Sequence, residues 1–228
     1  MKRLVLFVAT AATLVFVGSA QAASKQLWYD QRVDQIGSDI AGTSVHVLGE
    51  DDSNEWASFV PGEDPRTVLG FTFPFEAPSS SLYHMIFISP DLWPTLSKAA
   101  VNGAEGAGSN RYLTAVAIMS LTHEAYHQRL MSGDEGRVNA CALKAFPDVL
   151  ARDFSVKPTV TTTRSVPSRV SVRYGARYHH RWVYRYRWKT VWHTLASTAP
   201  NAVFQEYLAD ANDFYSNQPP PYNSGTCY

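Results

Sequence analysis

Residues 110–139 read NRYLTAVAIMSLTHEAYHQRLMSGDEGRVN, and the fold turns on this stretch. From Asn110 to Met131 it contains neither Gly nor Pro, and Val116, Met119, His123, His127 and Leu130 recur at three- and four-residue steps. That spacing predicts one long α-helix with these residues on a single stripe, capped by Ser109 or Asn110. Ser132-Gly133 predicts its end, with Gly133 taking the left-handed conformation just past the helix. Asp134 then caps a second helix running from Glu135 to about Phe146. Pro147 either kinks that helix or opens a third over 147–154.

Within the long helix, His123-Glu124-Ala125-Tyr126-His127 forms an H-E-x-x-H pattern. Side chains four apart on a helix point the same way, so two imidazoles converge on one tetrahedral metal, and neutral nitrogen ligands suit Zn2+. Glu124 stands between them as a general base, able to hold a water activated by the metal and carry its proton to a leaving amine. The plainer reading is two surface histidines beside a solvated carboxylate. An apolar stripe is a costly place for unpaired imidazoles. With seven His and eight Glu in 228 residues, chance places the pattern in roughly one chain in a hundred or fewer.

A catalytic zinc takes three protein ligands and keeps one position for water. Glu135 is the expected third ligand, because a chain reversal at Gly133 folds its carboxylate back toward the histidines. Asp134 serves better as the cap. Asn139 lies one turn beyond Glu135 on the same face, where its amide can orient a ligand histidine or simply face solvent. His193 and Glu206 are remote candidates for the third ligand. Tyr112, Tyr207, His179 and His193 are candidates for stabilising an oxyanion, each with an ordinary packing or surface role as the alternative.

The pairing of His123-Glu-Ala-Tyr-His127 with Asp134-Glu-Gly-Arg-Val-Asn139 resembles the gluzincin class of zinc metallopeptidases. By that resemblance Glu135 is the third ligand, Asn139 supports a histidine, and the substrate is a peptide or protein. The spacing from His127 to Glu135 is much shorter than in thermolysin, which demands a tight helical hairpin. The chain is also similar to small secreted bacterial H-E-x-x-H proteins of unestablished activity, which share a D-E-x-x-x-x-x-C segment and a tail like Pro221-Tyr222 to Cys227. The similarity covers chiefly residues 110–150 and the tail. It implies a zincin-like fold whose strand near Met85–Ile88 lines the cleft and pairs with an extended substrate.

Around this centre the pattern is mixed. Residues 26–100 read as short elements with turn clusters at 49–54 and 61–65 and an apolar strand at Met85–Ile88, followed by a short helix through Leu96. Gly103–Ser109 reads as a loop. A last amphipathic helix over Asn201–Tyr215 turns Val203, Phe204, Tyr207, Leu208, Ala211 and Phe214 inward, and Pro219-Pro220-Pro221 ends helical structure. The expected fold is a single α+β domain.

Lys2 and Arg3, the apolar run Leu4–Val17 and Ala20-Gln-Ala22 predict a cleaved signal peptide over 1–22 and a secreted or periplasmic protein of 206 residues, 23–228, with no membrane span in the mature chain. Export makes Cys141 and Cys227 candidates for one disulfide; the alternative is two buried thiols.

Removing the leader leaves 18 basic against 20 acidic residues, yet no carboxylate occurs between Asp153 and Glu206, where nine Lys and Arg fall. Residues 157–190 read as a basic aromatic insertion. Trp182, Tyr184, Tyr186 and Trp188 alternate with Arg181, Arg185 and Arg187, which predicts a strand in a β-hairpin turning near Gly175. Residues 155–166 read as linker or strand, and Trp192 with Leu195 as a short helix. Segment 164–193 suits an anionic envelope polymer or lipid surface, and less well a nucleic acid; it also fits a hairpin with one solvated basic face and one packed aromatic face, or a lid beside the cleft. A non-catalytic zinc-containing binding protein working through this segment is the rival to an enzyme.

Overall fold

The computed structural model describes residues 28–49, 56 and 68–228. The expected signal peptide lies outside the described residues. The architecture is α+β, with five α-helices and two small sheets among the described residues.

Strand β1 (Trp28–Tyr29) leads into helix α1 (Gln31–Ala41). Asp30 caps α1 by accepting from the amides of Arg32 and Val33, and Gly42 ends it with φ 72°. The N-terminal third therefore holds a full helix where only short elements are expected. Its signals were present, in an Asp cap, apolar Val33, Ile36 and Ile40 at helical spacing, and a Gly stop. Asp34 ties α1 to the next strand, its Oδ1 accepting from the Val47 amide at 2.7 Å.

Strands β2 (His46–Gly49), β3 (Gly70–Thr72) and β4 (Met85–Ile88) complete a four-stranded sheet in the order β1-β2-β4-β3. β2 runs parallel to β4, and β3 runs antiparallel to it. Ile86 and Ile88 face the main core, while Phe87 faces a second cluster with Trp56, Val68 and Phe71. Burial on both faces explains the unbroken apolar run of β4. It also corrects the expected role of this strand: β4 is bonded on both sides, so it has no free edge for a substrate.

Helix α2 (Trp93–Asn102) and a 3-10 turn at Ala104–Ala107 precede α3 (Arg111–Leu130). Asn110 caps α3 by accepting from the Leu113 amide. Almost every side chain from Thr114 to Gln128 is buried, so α3 is the axis of the core, enclosed by α1, α2, the sheet and the helices that follow. Helix α4 (Glu135–Asp153) carries Pro147 inside one continuous helix, and α5 (Ala202–Ser216) buries Phe204, Tyr207, Ala211 and Phe214. Cys141 and Cys227 form a disulfide across 86 residues of chain. In the chain-entropy account, a loop of that length stabilises by about 4 kcal/mol. No helix among the described residues is long and apolar enough to cross a membrane.

The chain divides into two compact units, one of them Thr159–Asn201 alone. In this unit β5 (Thr159–Tyr178) and β6 (Arg181–Pro200) pair antiparallel along their whole length, from Thr159 opposite Pro200 to Tyr178 opposite Arg181. His179 and His180 form the two-residue turn with φ 46° and 64°, the left-handed pair such hairpins require. Of the two readings of 155–166, strand holds from Thr159 onward. Two expectations change here. Gly175 sits within β5, where its missing side chain makes room for Tyr184, whose ring would lie 2.9 Å from an added Cβ. Trp192 and Leu195 continue β6, because cross-strand pairing with Pro167 and Arg164 holds them extended.

Candidate metal centre

The centre is built at the junction of α3 and α4. Met131, not Gly133, takes the left-handed conformation that ends α3, with φ 45° and its amide donating to the His127 carbonyl. The Ser132 amide also donates to that carbonyl, and the Ser132 hydroxyl accepts from the Asp134 amide. Asp134 caps α4 by accepting from the Arg137 amide at 3.0 Å. The chain thus reverses in four residues, which brings the first turn of α4 beside the last turns of α3.

This reversal places the three expected ligand residues together. His123 Nε2 and His127 Nε2 lie 3.0 Å apart, and Glu135 Oε2 is 3.1 Å from the first and 3.3 Å from the second. Both histidines are 1 % exposed. Each imidazole is oriented from behind. His123 Nδ1 donates to Asn139 Oδ1 at 2.9 Å, and His127 Nδ1 donates to the Ser132 carbonyl at 2.6 Å. With both Nδ1 atoms committed as donors, the Nε2 lone pairs face inward toward the same point as a carboxylate oxygen.

Asn139 is itself fixed, its amide nitrogen donating to the Tyr222 carbonyl at 3.2 Å. The Tyr222 and Ser132 carbonyls and Gly70 were not legible as contributors, since every residue carries a backbone carbonyl and a glycine in an edge strand gives no functional signal. An added Cβ on Gly70 would lie 3.0 Å from Glu124 Cγ and 3.3 Å from its Oε1, so this glycine opens the space that the Glu124 side chain fills. The helix is tied to the same strand by Gln128, whose amide donates to the Thr72 hydroxyl.

Glu124 is fully buried, and neither of its carboxylate oxygens has a hydrogen-bond partner. Burial raises its pKa to about 8. Burial also opposes charge on Glu135, but hydrogen bonds from His123 and His127 outweigh it and hold this carboxylate at about 2. For His127, burial lowers the pKa, while the Glu135 hydrogen bond and the nearby Glu124 charge raise it to about 9. His123 is shifted down, chiefly by burial. Beyond the two Nδ1 hydrogens, the cluster thus holds one further proton between the Nε2 atoms and a charged Glu135, and a bound metal ion would replace that proton.

His123, His127 and Glu135 form a group able to hold a metal ion. Two inward nitrogen lone pairs and one carboxylate oxygen are an N/O donor set, and the position of the cluster adds to it. Cations are favoured at the C-terminal end of α3, and the Glu135 carboxylate is favoured at the N-terminus of α4.

The remote candidates lie elsewhere. Glu206 is ion-paired with Arg111, whose Nε also donates to Asp210 Oδ2 at 2.7 Å. His193 is in β6, bonded to the Ser168 hydroxyl, and His179 is in the hairpin turn. Tyr207 packs in the core on α5. Tyr112 sits 11 residues before His123, roughly 16 Å along the helix axis.

Compared with family models, with curated proteins and with solved structures, the chain matches none.

Proposed function

We propose that this protein is an exported zinc-dependent metallopeptidase of gluzincin type. The observation that carries the reading is the meeting of His123 Nε2, His127 Nε2 and Glu135 Oε2 within 3.3 Å, beside a buried Glu124 carboxylate that bonds to nothing else. A structural metal site needs no such base next to its ligands. The mixed nitrogen and oxygen donors suit zinc, and three protein ligands leave a coordination position open.

When bound, zinc supplies Lewis-acid polarisation of a carbonyl and a more acidic water. The chain's own residues do the rest. Glu124, a stronger base for its dry surroundings and ionised once a cation sits beside it, takes the proton of the attacking water and returns it to the departing amine. Asn139 and the Ser132 carbonyl hold the two imidazoles in one tautomer. Strand β3 pairs with β4 alone among the described residues, and its Gly70 abuts Glu124. A cell-wall peptide amidase would use the same residues on a different substrate. The disulfide agrees with an oxidising, exported setting.

Metal analysis together with cleavage of a broad peptide library tests the proposal. About one zinc per chain is expected, lost in His123→Ala and Glu135→Ala, with cleavage abolished but metal retained in Glu124→Gln. Zinc bound by the wild-type protein without cleavage of any peptide supports the rival, a non-catalytic zinc-containing binding protein that acts through segment 164–193.

A further inference from the structure

The hairpin β5–β6 carries a chemistry that the metal centre does not use. No carboxylate occurs between Asp153 and Glu206, so the eight Lys and Arg within Thr159–Asn201 have no anion within their own unit. Two copies pairing edge to edge would bring these charges together, which disfavours self-association and favours an anionic partner.

The register sorts the side chains. Arg177 stands opposite Trp182 and Arg173 opposite Tyr186, and alternation then puts Trp188 and Trp192 on that same face. The rings are open to solvent, with Trp182 62 %, Tyr186 68 %, Trp188 70 % and Trp192 65 % exposed. The expected packed aromatic face is therefore uncovered within its own unit. A linear polyanion can be gripped from either side of a ribbon. Trp182, Tyr186, Trp188 and Trp192 share one side with Arg169, Arg173 and Arg177, while Tyr174, Arg181, Arg185, Arg187 and Lys189 take the other. Open Trp and Tyr rings set among cations on one side match a flat partner with an apolar-to-polar boundary, which is where Trp and Tyr settle in a bilayer.

The Arg173 guanidinium lies 3.4 Å over the Tyr184 ring, and Trp182 and Tyr184 lie 6.2 Å apart and within 16° of parallel. One face of Tyr184 is thus covered by Arg173. A guanidinium held flat in this way keeps its N–H edge directed at phosphate oxygens. The free strand edges limit depth, because unpaired backbone groups cannot enter hydrocarbon.

We propose that the hairpin docks this protein onto an anionic phospholipid bilayer, with the Trp182–Trp192 face lying in the headgroup layer. The inference is independent of the metallopeptidase reading and survives its failure.

Co-sedimentation of the purified protein with vesicles tests it. Binding to phosphatidylglycerol–phosphatidylcholine vesicles is expected, weakened by salt, with little binding to phosphatidylcholine alone. Each cation at such a surface contributes about five-fold, so Arg169→Gln/Arg173→Gln/Arg177→Gln should lose about 100-fold. The corresponding triple Lys variant should keep most of the affinity, which separates charge from misfolding. Trp182→Ala/Trp188→Ala should weaken binding about ten-fold or more and reduce quenching of Trp emission by brominated lipid. Equal binding to both vesicle types overturns the proposal, as does tight binding to single-stranded DNA with none to vesicles.

Discussion

His123 donates from Nδ1 to the side-chain oxygen of Asn139 at 2.9 Å, and through Asn139 this imidazole is linked to the C-terminal tail. The relay fixes the tautomer that turns Nε2 inward. Asn139→Ala should therefore weaken zinc about 10- to 100-fold while leaving the three ligands in place. A competition titration with a chromophoric chelator measures this, and an unchanged affinity would contradict the relay.

The tail is held where a small shift cannot be absorbed. A Cβ on Gly225 would lie 1.8 Å from the Gly136 carbonyl carbon, in the first turn of α4. Gly225→Ala must displace the tail and with it the Tyr222 carbonyl. We expect lower zinc affinity in Gly225→Ala and in Cys227→Ser, the latter also losing about 2–4 kcal/mol of stability by thermal or urea melting. If both variants bind zinc like wild type, the tail does not position Asn139.

Gly70→Ala probes the space around the base. The new methyl would meet Glu124 Cγ at 3.0 Å and the Phe87 carbonyl oxygen at 3.1 Å, and the latter is backbone that cannot swing away. Overpacking of this kind costs about 1–3 kcal/mol. Peptide cleavage should fall at least ten-fold, with zinc content unchanged, since none of the three ligands is among the atoms nearest the new methyl. Loss of zinc along with cleavage would instead place Gly70 in support of the ligands.

The metal-free protein should have a bounded window of stability. Glu135, held at about 2 against an ordinary 4.5, stabilises fully above pH 4.5 and loses that contribution as pH falls through 2. His127, held at about 9 against 6.5, stabilises fully below pH 6.5 and loses it as pH rises through 9. Glu124, raised from 4.5 to about 8, makes the fold less stable as pH rises between those values. His123, shifted below 6.5 by burial, opposes Glu124 by favouring the fold as pH rises toward 6.5, so the maximum lies between pH 4.5 and 6.5, read from melting temperatures in chelator. Zinc needs deprotonated imidazoles, so adding it should lift the alkaline arm most and release about one proton per ion at neutral pH. A flat profile without metal would remove the coupled cluster from this account.

Much of the centre was legible because its determinants are local. The four-residue step from His123 to His127 fixes a shared direction within any helix, and Asn110 and Asp134 are capping residues whose role depends only on the amides that follow them. Where local signals competed, the surrounding fold decided between them. Gly133 was the natural stop for α3, yet Met131 took the left-handed turn. His179-His180 formed a hairpin turn that Asn-Gly usually makes. In both cases the flanking elements over-determined a conformation that the residues themselves disfavour.

By itself the sequence determined the long helix, the paired imidazoles with Glu124 between them, and the segregation of positive charge into residues 157–190, since periodicity and composition are properties of the chain alone. Only the tertiary structure decided that β4 is bonded on both sides, that Gly70 makes room for the base, and that the Tyr222 carbonyl steadies Asn139. Those relations join residues up to 83 positions apart, as Asn139 and Tyr222 are. No local pattern encodes them, because strand order and tail docking are chosen by which apolar surfaces bury one another best once the whole chain has collapsed.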